Sequence, residues 1–202
     1  MLTTVLSVLR INIYWMSWNL YLAFVPLALS LLLFRSRGSR SWLWWLVLLV
    51  FFAFLPNAPY LLTDVIHIVG FMHMTNSMWM IFLIVLPVYL LFILAGFEAY
   101  VLSLINLGCY LNRMGWGKWI SGAELLTHGL CSLGIYLGRF LRFNSWDFII
   151  QPKALTTSVF SVLASIGQLV IIAVTMVVVS GLYWIMKRMS LKIIDLGKTL
   201  TS

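Results

Sequence analysis

The sequence predicts an all-α integral membrane protein: a helical bundle of about five transmembrane helices with short interfacial helices at its outer face. Three observations predict it. Of 202 residues, 63% are hydrophobic and 9% charged, against roughly a quarter charged in a water-soluble domain. The mean hydropathy of +1.05 leaves too little polar surface to cover a fold in water. Apolar runs of about 20 residues, the length that crosses a bilayer, recur between groups of basic residues. No internal repeat or shift of composition divides the chain, so residues 1–202 read as a single transmembrane domain.

The first span covers about 15–34 and stops at Arg35, Arg37 and Arg40; the second, 42–56, stops at Pro56. The third, 78–111, stays apolar past Pro87, Gly96 and Glu98. At 1.5 Å per residue it would reach about 50 Å, more than the ~30 Å of hydrocarbon, so it must kink, tilt or project into water. The fourth covers 119–137 and the fifth 160–186. Segments 57–73 and 143–152 read as interfacial, and 187–202 as a basic, amphipathic tail lying along the anionic inner leaflet. Trp15, Trp18, Trp42, Trp44, Trp45, Trp79, Trp116, Trp119 and Trp184 fall near span ends, where indole suits headgroup depth. Cys109 and Cys131 lie within spans and read as buried structural thiols.

Thirteen Lys and Arg against five Asp and Glu give a net charge of +8. In a soluble chain that would suggest nucleic acid. Here the basic residues fill gaps between apolar runs and act as topology signals, so no nucleic-acid partner is expected. With the N-terminus outside, Arg35, Arg37, Arg40, Arg113, Lys118, Lys187, Arg188, Lys192 and Lys198 are cytoplasmic, leaving Arg10, Arg139, Arg142 and Lys153 outside. That majority predicts N-out and C-in. No A-x-A pattern closes the first apolar run, so it is expected to be retained rather than cleaved.

The polar residues concentrate in three places. In LPNAPYLLTDVIH, Pro56 closes the second span, Asn57 is a candidate cap, and Tyr60, Thr63, Asp64 and His67 recur on one helical face. In GIYLGRFLRFNSWDF, Gly134 and Gly138 permit close helix contact before Arg139 and Arg142 emerge. Asn144 or Ser145 would then cap a short helix carrying Asp147, anchored by Trp146. By parity both segments are on the outer side, so Asp64 and Asp147 are expected to face the two arginines. Within the spans, Glu124 and His128 share a stripe, Glu98 lies at a depth suited to pairing with His128, and Asn19 and Gln168 add polar edges.

The passages WNLYLAFVPLALS, FFAFLPNAPYLLTDVIHI and GIYLGRFLRFNSWDFIIQP, spread from Trp18 to Pro152, closely resemble the bacterial multi-pass membrane family called domain of unknown function 1361. The resemblance implies an integral membrane fold in a bacterial cytoplasmic membrane and brings no catalytic assignment.

Three functions follow as expectations. The first is an outward-facing polar pocket, built from Asn57, Tyr60, Thr63, Asp64, His67, Arg139, Arg142, Asn144, Trp146 and Asp147, that binds or modifies an anionic lipid headgroup or envelope polymer. The second is a small transporter or proton-coupled carrier using Glu98, Glu124 and His128. The third is an assembly partner whose polar stripe only fixes packing. Asp64 and His67, with His73 or Asp147, lack a second clear ligand pair, so no metal and no cofactor are expected. Thr63 and Ser145 have no nucleophile elbow, and the catalytic residues, like the oligomeric state, are not specified.

Overall fold

The computed structural model describes residues 2–36, 40–66, 79 and 81–200, with side chains from 14 to 196. His67, His73 and the rest of the 57–73 segment beyond Ile66 lie outside the described residues. Helix α1 (Leu2–Ser30) runs through Pro26 into a π turn at Leu31–Arg35. Helix α2 (Trp42–Phe54) is followed across Pro56 by the short α3 (Asn57–Tyr60) and a 3-10 turn, Leu61–Asp64. A second π turn, Ile81–Val85, leads into α4 (Leu86–Arg113). Then come α5 (Ile120–Phe140), α6 (Asp147–Ile150), α7 (Pro152–Leu163) and α8 (Ile166–Leu200).

Local chemistry explains the irregular points. Pro87 has no N–H for the Leu83 carbonyl, and its ring crowds that carbonyl, so the preceding turn opens to π geometry. Gly96 and Glu98, in contrast, lie within uninterrupted helix. Gly96 is needed for another reason: a Cβ there would come within 2.5 Å of Leu61, where α1 and the 3-10 turn press on α4.

Helix α4 is central. The α1 helix packs along it, and α3, α5 and α8 lean on it from other sides. The core joins Ala23, Phe51, Leu55, Phe97, Tyr100 and Leu104. Helix α5 runs antiparallel to α4, with Ile120 beside Gly108 and His128 beside Tyr100. Large apolar side chains such as Leu49, Leu83, Leu91 and Val177 point away from the core. In water such a surface would drive aggregation; in a bilayer it meets acyl chains. The chain is an integral membrane protein.

Four stretches have the length and apolarity to cross a membrane: Tyr14–Arg35, Trp42–Asp64, Ile81–Arg113 and Ile166–Leu196. Helix α5, the expected fourth span, has the length, at 21 residues, but Glu124, Thr127, His128, Ser132 and Arg139 keep it out of that set. Thr127, His128 and Ser132 are buried, turned toward neighbouring helices.

Three expectations need correction. The fifth span does not begin at Phe160: α7 ends at Leu163, and the chain turns at Ala164 and Ser165 before α8 starts. The turn is required because Leu155 and Val162 of α7 pack on Tyr136 and Leu137, whereas α8 packs along α5. The expected tail also does not turn aside at Lys187, since α8 continues as one helix to Leu200. Its 35 residues extend about 52 Å, so its last turns project past the hydrocarbon along the same axis. Finally, Cys131 is buried as expected, whereas Cys109 is exposed on the outside of α4.

Candidate functional site

Two polar clusters emerge. The first lies where the end of α2 meets the end of α5. The Asn57 amide Nδ2 donates to the Phe54 carbonyl at 2.9 Å and to Ser145 Oγ at 2.8 Å. Asn57 therefore closes the helix behind it, where a donor satisfies an orphan carbonyl, rather than capping the one ahead. The two glycines of α5 receive this loop: a Cβ on Gly134 would sit 2.7 Å from the Pro56 ring, and one on Gly138 3.3 Å from the Tyr60 ring. Thr63 Oγ1 donates back to the Tyr60 carbonyl at 2.8 Å. Asp64 is buried and accepts from Asn19 Nδ2 at 3.3 Å, which ties α1 to the loop.

On the α5 side, Arg139 is half-buried and Arg142 exposed. Arg142 has φ 60, the one non-glycine residue with positive φ among the described residues. It ends the helix in the left-handed conformation that glycine ordinarily supplies, and the following N–H, of Phe143, reaches back to the Leu137 carbonyl at 3.2 Å. Asp147 is buried and accepts the Asn144 N–H at 2.6 Å. Asn144 and Ser145 do not cap α6, which has no side-chain cap; Ser145 instead serves Asn57. Trp146 is 39% exposed beside them.

The expected pairing of both acids with both arginines is therefore not what forms. Asp147 is used by the turn that contains it, and Asp64 is held by Asn19. Among the described residues, neither Arg139 nor Arg142 is joined to a carboxylate, and the one ion pair is Lys187 with Glu124.

That ion pair belongs to the second cluster, inside the bundle. Glu124 Oε1 accepts from Lys187 Nζ at 2.5 Å and from the Tyr183 hydroxyl at 2.7 Å. The Tyr183 ring meets His128 edge-on at 4.7 Å, and His128 Nδ1 lies 2.7 Å from the Tyr100 hydroxyl. Glu98 is not the imidazole's partner; it accepts from Ser190 Oγ at 2.5 Å. Gln168 stands apart, its Oε1 buried with no hydrogen-bond partner among the described residues. Sequence reasoning missed Tyr100, Tyr183, Lys187 and Ser190. Lys187 read as a topology charge, yet an unpaired Glu124 within a span was itself a signal that a cation had to approach it.

The passages that build the first cluster lie inside a match over residues 18–180 to the family described as Protein of unknown function (DUF1361). The chain belongs to that family. The match runs past Pro152 into α8 and stops before Tyr183, Lys187 and Ser190, so the α8 side of the second cluster falls outside it. No curated protein and no solved structure matches the chain significantly.

Proposed function

We propose that this DUF1361 protein holds an anionic lipid headgroup or envelope polymer, to bind or modify it, at an outward-facing surface where the Pro56–Asp64 loop meets the Arg139–Asp147 turn. One observation carries the reading: among the described residues, two arginines stand at this surface without a carboxylate, although two buried acids lie in the same two segments. Guanidinium left uncompensated at a membrane interface favours an external anion, which it can take bidentately. The backbone adds to this. An arginine at φ 60 costs about 1 kcal/mol relative to glycine, and among the described residues its side chain has no ion pair to offset that cost. The outward orientation rests on the Lys and Arg majority at the other end of the bundle, and the membrane is inferred to be the bacterial cytoplasmic membrane.

The test has two parts. In a background lacking Cys109 and Cys131, Ser145→Cys should react with a membrane-impermeant maleimide added to intact cells. Photo-crosslinking of an anionic lipid beside Trp146 should fall in a folded Arg139→Gln/Arg142→Gln variant. Labelling only after cell lysis, or unchanged crosslinking, sinks the reading.

The carrier reading has one observation in its favour, the array Tyr100, His128, Tyr183, Glu124 and Lys187 within the bundle. The Lys187 ammonium balances Glu124, which suits a fixed brace, and hence the assembly-partner reading, as well as a relay. Proton flux in proteoliposomes that is lost in His128→Gln would favour the carrier.

A further inference from the structure

At the other end of the bundle, the end of α1, the start of α2 and the end of α4 enclose a cleft of about 650 Å³. Arg40 and Arg113 stand on its lining, with Trp44 and Tyr110 as one wall. Trp44 and Tyr110 stack at 5.9 Å, and the Arg40 guanidinium lies over both rings, 5.9 Å and 5.6 Å from their centroids. The aromatic pair thus positions the cation without neutralising it. Arg113 donates to the Phe34 carbonyl, which uses one part of its fork and leaves the other donors available.

No acid can complete this site from within. The chain has five, and none lines the cleft. Asp64 and Asp147 belong to the opposite end, Glu98 is held by Ser190, Glu124 by Lys187 and Tyr183, and Asp195 is not among the lining residues. The rest of the lining includes the apolar Leu32, Leu43 and Val47, together with Ser36 and Ser41. A basic rim and an apolar wall at the end of a span match a phosphate attached to an acyl chain.

We propose that this cleft is a second ligand site, for the phosphate of an anionic membrane lipid, with Arg40 and Arg113 binding the headgroup and Leu43 and Val47 lying along the acyl chain. It does not depend on the Arg139 surface and serves the opposite leaflet.

Native mass spectrometry of the full chain in detergent, titrated with phosphatidylglycerol, tests this. One discrete binding step, whichever its rank, should weaken about tenfold in Arg40→Gln, the loss of one charge-assisted contact. Leu43→Trp keeps every charge and fills the cleft at an exposed position, so it should weaken the same step even if Arg40→Gln fails to fold. Arg139→Gln/Arg142→Gln should leave that step unchanged, which separates this site from the one above. Phosphatidylcholine should bind more weakly, and inorganic phosphate in the millimolar range should not compete. Wild-type affinity in folded Arg40→Gln and Leu43→Trp, or equal binding of phosphatidylcholine, overturns the proposal. Displacement by inorganic phosphate overturns its lipid source and assigns the anion site to a soluble phosphoester.

Discussion

Asn57 and Ser145, 88 residues apart, are joined by a 2.8 Å hydrogen bond from the amide of one to the hydroxyl of the other. That contact locks the end of α2 to the turn after α5. A double-mutant cycle with Asn57→Ala and Ser145→Ala, followed by unfolding in mixed micelles, should give a coupling of about 0.5–1.5 kcal/mol. Asn57→Ala alone should cost more than Ser145→Ala, because it also strips the Phe54 carbonyl of its donor. Strict additivity would mean the two residues do not meet.

Gly134 gives a steric test of the same junction. In Gly134→Ala the new methyl would sit 2.7 Å from the Pro56 ring, and a proline in a helix junction has little freedom to yield. We expect a loss of about 1–3 kcal/mol. Gly122, on the same helix, has nothing within 4 Å of a Cβ, so Gly122→Ala should be neutral or gain up to about 1 kcal/mol from helix propensity. Equal melting temperatures for the two variants would count against the packing described.

Arg142 separates stability from function. Arg142→Gly removes the left-handed strain and should stabilise the protein by about 1 kcal/mol, while Arg142→Ala keeps the strain and gains nothing. Crosslinking of the anionic lipid should fall in both. A glycine variant that is less stable than the alanine variant would contradict the role given to this position.

The Glu124 and Lys187 pair makes the fourth prediction. Its side chains are 14% and 27% exposed, so removing one partner strands a poorly solvated charge. Glu124→Gln should destabilise by about 1–3 kcal/mol, and Glu124→Gln/Lys187→Met should recover part of that loss. Thermal denaturation of these two variants and of Lys187→Met in one detergent measures it; a double variant as unstable as the sum of the singles would refute a direct pair.

Much of this protein was legible in one dimension. Hydropathy is additive along the chain, so the sequence by itself determined the membrane class, the all-helical fold and the first three stretches apolar enough to cross. The motifs LPNAPY and RFNSWD also marked the two segments that meet, because prolines, glycines and polar residues break an apolar run wherever they occur. Which polar groups pair was another matter. Asp64 turns to Asn19 and Asp147 to its own turn, leaving the arginines that parity had matched to them. Lys187 leaves its role as a boundary charge to reach Glu124. The break at Ala164 was equally hidden, because the residues on both sides are similarly apolar and only their different packing partners bend the chain there. Spacing fixes which side chains share a face of one helix. Crossing and rotation between helices fix which faces meet, and those depend on the fit of Pro56 and Tyr60 against two glycines far along the chain, a property only the tertiary structure decides.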